Sequence, residues 1–293
     1  MGADGRDLPH RLTLRIDAHH HVWDLAIRPQ PWTAPFPVLA RSYSMDDLRP
    51  ALVANDVAAT VVVQTAAVAE ETTELLELAS RDPAIAGVVG WVDLTARDVS
   101  ENLTRLRKGP GGSHLVGIRH QVQGEAQLDW LADENVRAGL HAVAVQGLAY
   151  DLVIRPEQIP SARDAAEATP DLRFILDHGG NPRIGEKELE PWSTDLATLA
   201  ALPNTAVKLS GLVSWAGAGW SADVLRPYAD RLFTAFGPSR VLFGSDWPVC
   251  LLSASYARVV EVAEQLTAEL TAAERSAVFA GNVGSWYRLD VVL

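Results

Sequence analysis

The sequence contains few cysteines, no long apolar run and no concentration of basic residues. Its single cysteine, Cys250, cannot form an intramolecular disulfide, which is consistent with a reducing compartment. No run of about 18 or more uncharged apolar residues is present, so no transmembrane helix is predicted. The 37 acidic residues outnumber the 25 basic ones, and the formal net charge is -12. We therefore expect neither a nucleic acid nor a membrane as a partner.

The chain length allows one large α/β domain or two small ones. No linker rich in Gly, Ser or Pro separates two halves of the sequence. The first residues, MGADGRDLPHRL, carry charges and a proline where a signal peptide needs an apolar segment. These observations predict a flexible tail over residues 1–12, one domain over 13–293 and a cytoplasmic protein. A homo-oligomer is compatible with the sequence, because an apolar patch on an outer helix cannot be told from core.

Short β-branched runs alternate with longer segments rich in Ala, Leu and Glu. The intervening segments repeat apolar residues at intervals of three and four, as amphipathic helices do. Eight runs have the composition of strands: 13–17, 60–65, 85–94, 115–122, 141–148, 172–178, 205–211 and 240–246. Eight strand–helix units in a chain of this size predict a single-domain α/β protein with a (β/α)8 TIM barrel fold, and a doubly wound open sheet is the alternative.

Three consecutive histidines follow the first predicted strand, in RIDAHHHVWD (residues 15–24). Because side chains alternate along an extended chain, His19 and His21 point to one side and His20 to the other. Such a pair supplies two imidazoles to a metal ion or to an anionic group of a substrate. A remnant of a purification tag, or two histidines satisfied within a turn, are the alternatives that involve no chemistry.

Two more candidate residues stand at the ends of later strands. His178 ends the sixth run in LDHGGNP, and Asp246 ends the eighth in FGSDWPVC. Taken alone, His178 is more often structural and Asp246 can simply cap a turn. In a barrel, however, both would meet His19 and His21 at one mouth. Three imidazoles and a carboxylate can bind zinc, and they can also provide an acid, a base and orienting groups without any metal.

The order of five motifs resembles the amidohydrolase superfamily, and more narrowly its sugar-lactone hydrolases. That branch includes L-fuconolactone, L-rhamnonolactone and pyrone-dicarboxylate lactonases. The resemblance extends from about Ile16 to Trp286 and implies a (β/α)8 barrel that adds water to the carbonyl of a cyclic ester. The motifs are DAHHHVWD (17–24), GIRH (117–120), DHGGNP (177–182), VKLSGL (207–212) and VLFGSDWP (241–248).

The chemistry of lactone hydrolysis predicts a role for each residue at the barrel mouth. Asp246 is the candidate general base that deprotonates water and then protonates the leaving hydroxyl. His178 is the candidate that polarises the carbonyl, while His19 and His21 either hold a metal or donate hydrogen bonds. If a divalent ion is bound, its predicted ligands are His19, His21, His178 and Asp246.

The departures from the superfamily pattern bear on the metal. Metal-dependent members commonly carry a further histidine after the fifth strand, and binuclear members a bridging Lys or Glu after the fourth. Here the segment 147–154 reads GLAYDLVI, and the fourth run ends in Arg119 and His120. The resemblance therefore implies no binuclear centre. It leaves either one weakly held divalent cation, zinc first among the choices, or no required cofactor.

Several further residues are candidates for contacts with a small lactone substrate. Strand alternation favours His120 over Arg119 for the pocket, and a structural ion pair is the alternative for Arg119. Lys208 lies inside an apolar strand and needs a partner, which is either the substrate or a buried acid. The complete set is His120, Arg119, Tyr150, Lys208, Trp247 and Trp32.

Two tryptophans belong to this set, because indole faces suit the C–H faces of a sugar ring. Trp247 adjoins Asp246 in the sequence. Trp32 lies in the proline-rich segment 29–38, which is either a stiff flap over the mouth or a packed loop without a function.

Two functions other than lactone hydrolysis remain open. A metal-dependent amide hydrolase or decarboxylase of the same superfamily, acting on a small carboxylated ring, would use the same histidines and lose all activity on chelation. A non-catalytic binding barrel would keep the pocket without a base. The presence of both Asp246 and His178 favours an enzyme.

Overall fold

The fold is a barrel of eight parallel strands. A computed structural model describes residues 14–217 and 219–289. Neighbouring strands in the chain are neighbours in the sheet, and an isolated parallel bridge between His20 and Trp247 joins the last strand to the first. The predicted (β/α)8 TIM barrel is therefore confirmed. The strands are β1 Arg15–His20, β2 Val57–Val63, β3 Ile85–Gly90, β4 Leu115–His120, β5 Ala149–Leu152, β6 Arg173–Leu176, β7 Thr205–Leu209 and β8 Val241–Phe243.

Helices follow the strands and cover the outer face of the barrel. Those of the described residues are α1 Met45–Ala54, α2 Ala69–Ala79, α3 Val99–Lys108, α4 Glu134–Val145, α5 Ile159–Ala168, α6 Trp192–Ala200, α7 Leu212–Trp215, α8 Ala222–Phe236, α9 Tyr256–Leu266, α10 Ala272–Ser276 and α11 Asn282–Tyr287. Among these residues no helix is both long and apolar enough to cross a membrane.

The predicted fifth strand, residues 141–148, is wrong. Most of this run continues α4, which begins after Asp133, whose side chain accepts hydrogen bonds from two backbone amides of the first turn. Val136, Leu140 and Val143 are buried on one face at helical spacing. The alternation of Ala and Val in HAVAVQGL imitates a strand, whereas the true strand β5 is only four residues long.

The core has an inner and an outer layer, because strand side chains alternate. The inner cluster is built mainly from Ala, Val, Leu and Ile side chains of the strands, and Tyr287 of α11 packs into it. The ring of Tyr287 lies against Gly117 in the first half of β4, so α11 covers the N-terminal end of the barrel. The opposite, C-terminal end is therefore the end that remains for a site.

The predicted tail, residues 1–12, lies outside the described residues. It stays a prediction, and so do the domain boundaries at 13 and 293.

Candidate active site

The hydrogen bonds that join β8 to β1 also bring Asp246 to the histidine pair. The backbone amide of Asp246 donates to the carbonyl of His19 over 2.8 Å, and the amide of His21 donates to the carbonyl of Trp247 over 2.7 Å. The carboxylate and the two imidazoles are therefore held by backbone geometry at the closing edge of the barrel.

His19 and His21 point to the same side of β1, as their spacing predicts. Their Nε2 atoms are 3.2 Å apart. The Nδ1 atom of His21 lies 2.7 Å from the carbonyl oxygen of Val63, which can only accept. Nδ1 of His21 therefore carries a proton, so in the neutral ring the lone pair is on Nε2, which faces the mouth of the barrel.

An irregularity in β1 decides which histidines face inward. Ile16 and Ala18 belong to the inner cluster, so strict alternation would also turn His20 inward. The register with β2 shifts between Asp17 and His20 instead. As a result His20 faces outward, with its Nε2 atom 2.9 Å from Thr60 Oγ1.

One carboxylate oxygen is faced by three imidazoles. Asp246 Oδ1 lies 3.5 Å from His21 Nε2, 3.7 Å from His19 Nε2 and 3.9 Å from His178 Nε2. All four side chains are buried. Burial lowers the pKa of His178 although the charge of Asp246 acts to raise it. A neutral His178 beside a carboxylate is suited to donating a hydrogen bond while Asp246 accepts a proton.

Both His178 and Asp246 adopt left-handed backbone conformations, with φ of 55° and 57°. For a residue with a Cβ atom this costs about 1–2 kcal/mol. Such strain concentrates at functional sites, where the surrounding structure maintains it. The sequence patterns do not predict these left-handed conformations.

One serine hydroxyl and two glycines without a Cβ atom shape the surroundings of His178 and His19. The Nδ1 atom of His178 lies 2.8 Å from Ser210 Oγ. At Gly211 (φ 69°) a Cβ atom would come within 2.7 Å of the His178 ring, and at Gly244 it would come within 2.8 Å of His19 Cβ. Only glycine leaves room for both imidazoles at these positions.

The donor set has spacings that suit a small divalent cation. Ligand atoms about 2.0–2.1 Å from a tetrahedral zinc ion lie about 3.3–3.4 Å from one another. The mutual distances among His19 Nε2, His21 Nε2 and Asp246 Oδ1 are 3.2, 3.5 and 3.7 Å. These three residues therefore fit such an ion, and His178 lies slightly farther from the carboxylate.

Beneath the histidines is a buried group of charges, described here as the Lys208 network. Its members are Lys208, Asp151, Asp177, Arg119 and Tyr287. Lys208 Nζ lies 2.6 Å from Asp151 Oδ2 and 2.9 Å from Asp177 Oδ1. Arg119 Nη1 lies 3.1 Å from Asp177 Oδ2, and the Tyr287 hydroxyl donates to Asp151 Oδ2 over 2.6 Å. Two cations thus balance two carboxylates inside the barrel.

The two carboxylates of the Lys208 network titrate differently. Burial raises the pKa of Asp151 to about 6, although Lys208 opposes the shift. Burial acts in the same direction on Asp177, but the positive charges of Lys208 and Arg119 oppose it, and the pKa of Asp177 lies well below its usual range. Asp177 is therefore the firmly ionised anion of the network.

The structure corrects three of the predicted substrate contacts. Lys208 is fully buried and paired with acids, which is the alternative that the sequence left open. Arg119, rather than His120, faces the interior, with Nη1 3.4 Å from His19 Nε2. His120 stacks on Trp130, and both of its ring nitrogens are already bonded, Nδ1 to Trp91 and Nε2 to Glu125.

The third correction concerns Tyr150, whose ring is buried in the outer layer against Phe174, because β5 turns Asp151 inward instead. Trp247 is only 4% exposed and packs edge-on against Tyr43, so it has little surface left for a ligand. Trp32 is 41% exposed and remains available for contact.

Asp177 and Ser210 were not predicted from the sequence, although a signal existed for Asp177. It follows the inner residue Ile175 by two positions, so continuing the alternation of β6 by one residue past Leu176 places its side chain on the inner side. Nothing in the sequence connects Tyr287, in the last helix, to β5.

Active sites of TIM-barrel enzymes lie at the C-terminal ends of the strands, where this cluster lies, so the protein has the organisation of a barrel enzyme. Residues 16–289 match the amidohydrolase family, and the chain belongs to it.

Similar proteins include two lactonases. The L-fucono-1,5-lactonase of Burkholderia multivorans is 39% identical over 289 residues, covering 94% of this chain and 96% of that protein. The L-fucono-1,5-lactonase of Burkholderia ambifaria is 36% identical over 286 residues, covering 95% and 97%. A crystal structure of a Burkholderia multivorans amidohydrolase with bound zinc has a TM-score of 0.88 at 39% identity, covering 94% of this chain and 99% of that one.

Proposed function

We propose that the protein hydrolyses the cyclic ester of a sugar-derived lactone, an aldonolactone such as L-fuconolactone or L-rhamnonolactone, to the sugar acid. The observation that carries this proposal is the single carboxylate oxygen of Asp246 facing three imidazole nitrogens at the barrel mouth. The names of the two Burkholderia relatives support the choice of lactone.

In this mechanism Asp246 acts first as a base and then as an acid. Its carboxylate takes a proton from water while the water oxygen adds to the lactone carbonyl. When the tetrahedral intermediate collapses, the ring C–O bond breaks and Asp246 returns the proton to the departing alkoxide. The product carries one carboxyl and one new hydroxyl, and Asp246 is a carboxylate again.

His178 stabilises the negative charge that develops on the carbonyl oxygen. This role needs a proton on Nε2, the nitrogen that faces Asp246. Ser210 favours this tautomer, because its hydroxyl can donate to Nδ1 of His178 over 2.8 Å and leave the ring proton on Nε2. A fixed donor in a buried site stabilises an oxyanion more than water does, because it needs no reorganisation.

A divalent ion held by His19, His21 and Asp246 would supply a Lewis acid for the carbonyl or for water. Zinc is the first choice, because of the ligand types and the spacing. Lys208 and Arg119 place two positive charges close to His19, however, and these oppose tight binding of a cation. A lactone is also more reactive than an amide, so Asp246 and the histidines can act on it without the ion.

The first test is a pH-indicator assay of the purified protein against aldonolactones and aromatic lactones, with L-fuconolactone and L-rhamnonolactone at the head of the panel. Rapid release of acid from one stereochemical set supports the proposal. No release from any lactone contradicts it and favours a metal-dependent amide hydrolase or decarboxylase.

Removal of metal is expected to leave most of the lactonase activity. The protein is dialysed against a strong chelator, its zinc content is measured, and turnover is compared before and after zinc is restored. Complete loss on chelation, with recovery on zinc, would show that the ion is required and that Asp246 does not suffice.

Two histidine variants test the orientation of β1. His21→Ala is expected to lower kcat at least tenfold, because it removes a group that faces Asp246. His20→Ala is expected to change kcat less than threefold while costing about 1–3 kcal/mol of stability, since a buried ring bonded to Thr60 is lost. Steady-state kinetics and urea unfolding of both variants measure these effects. Equal damage to kcat would refute the orientation.

A further inference from the structure

Lys208 lies directly behind a candidate catalytic histidine. Its Nζ atom is 2.9 Å from Nδ1 of His19 and 2.6 Å from Asp151 Oδ2, both with hydrogen-bond geometry. The third neighbour, Asp177 Oδ1, lies 2.9 Å away as an ion pair without directed hydrogen bonds. An ammonium group has three N–H bonds and no lone pair, so it can only donate to these atoms.

This contact determines which nitrogen of His19 accepts. If Nδ1 carried the ring proton, two donors would face each other over 2.9 Å. The other neighbour of Nδ1 is Asp177 Oδ1, which at 3.3 Å is farther away than Lys208 Nζ. Lys208 is therefore the partner that satisfies Nδ1, and it does so only when that nitrogen has a free lone pair.

The surroundings of Nε2 agree with this assignment in one contact and oppose it in another. His21 Nε2 is 3.2 Å away, and in the neutral ring it has the lone pair, because Nδ1 donates the ring proton to the Val63 carbonyl. A proton on His19 Nε2 turns that contact into a hydrogen bond. Arg119 Nη1 lies on the same side and is also a donor, but at 3.4 Å it is farther, and it already donates to Asp177 at 3.1 Å.

We propose that Lys208 is a positioning residue that fixes the tautomer of His19. In the metal-free protein it donates to Nδ1, so that the proton of the neutral ring is on Nε2 and is directed toward His21 and the mouth of the barrel. Asp151 and Tyr287 hold Lys208 in place from below.

The consequence for the reaction rests on the proposed function. With its proton on Nε2, His19 is a hydrogen-bond donor to a bound lactone. With its proton on Nδ1, the same ring would present a lone pair to the carbonyl oxygen and repel it. The lysine thus contributes to catalysis without touching the substrate.

The test uses the metal-free protein and the double variant Lys208→Met/Asp151→Asn. Removing a cation and an anion together avoids leaving a buried charge unpaired, which a single Lys208 substitution would do. Nitrogen chemical shifts of the labelled histidines report the tautomer, and the signal of His19 is identified by its loss in His19→Gln. Nδ1 then faces Asp177, so we expect the proton to move from Nε2 to Nδ1 and kcat to fall about 10–100-fold with a smaller change in KM.

Two matched controls separate this effect from general damage. Lys108→Met makes the same substitution at an exposed lysine and is expected to change neither the tautomer nor kcat. Tyr287→Phe loosens the network without removing Lys208 and is expected to keep the Nε2 proton. A proton on Nδ1 in the wild type, or on Nε2 in the folded double variant, would overturn the proposal. Because the tautomer is measured without substrate, a failure of lactone hydrolysis alone would refute only the proposed function.

Discussion

Asp246→Asn is expected to lower kcat on the lactone substrate by about a thousandfold or more, with the fold intact. General base catalysis contributes about 10²–10⁴-fold, and the amide cannot accept the proton of water. Asparagine suits the position, because it adopts the left-handed conformation of Asp246 (φ 57°) more readily than most residues. The backbone bond from residue 246 to the His19 carbonyl is retained, since it uses only the amide of the main chain.

The measurement combines steady-state kinetics with thermal unfolding. Asp246→Ala is the less informative variant, because it adds backbone strain to the loss of the carboxylate. Substantial turnover by a well-folded Asp246→Asn protein would rule out Asp246 as the base.

His178→Asn is expected to lower kcat by about 10²–10³-fold, and His178→Gln by less. Removing one donor to an oxyanion typically has an effect of this size. The glutamine amide reaches the place of Nε2, which faces Asp246, whereas the asparagine amide reaches only the place of Nδ1, beside Ser210. Asparagine adopts the left-handed backbone at position 178 more readily than glutamine does. We therefore expect the variant with the better-suited backbone, His178→Asn, to be the less active of the two.

The comparison is made on kcat at saturating lactone, with unfolding curves for both variants. Equal losses, or greater activity in His178→Asn, would show that His178 does not act as a donor through Nε2. Ser210→Ala is a milder companion. It removes the partner of Nδ1 and is expected to reduce kcat several-fold.

The fold and the mouth of the site follow from local sequence patterns. Alternation of strand and helix composition predicts the barrel, and strand-end positions bring His19, His21, His178 and Asp246 together. These inferences succeed because they depend on periodicity and on the geometry shared by all parallel barrels. The prediction of the fifth strand is wrong because it also depends on periodicity, and α4 ends in an alternating Ala–Val run that has the period of a strand.

The interior of the site could not be predicted in this way. The choice between Arg119 and His120 depends on the phase of β4, which a six-residue strand does not reveal. The inward turn of His19 depends on a register shift in β1, and the left-handed conformations of His178 and Asp246 depend on tertiary contacts. The sequence is compatible with two partners for Lys208, the substrate or a buried acid. The positions of Asp151 and Asp177 decide in favour of the buried acids.

The polar interior joins opposite ends of the polypeptide. His19 belongs to the first strand, whereas Tyr287, which bonds the acid that holds Lys208, belongs to the last helix. All eight strands of the barrel are synthesised before Tyr287. Until that helix docks, Asp151 lacks the hydrogen bond that the Tyr287 hydroxyl donates to it. The Lys208 network is thus completed only after α11 has been synthesised, which is later than every strand of the barrel.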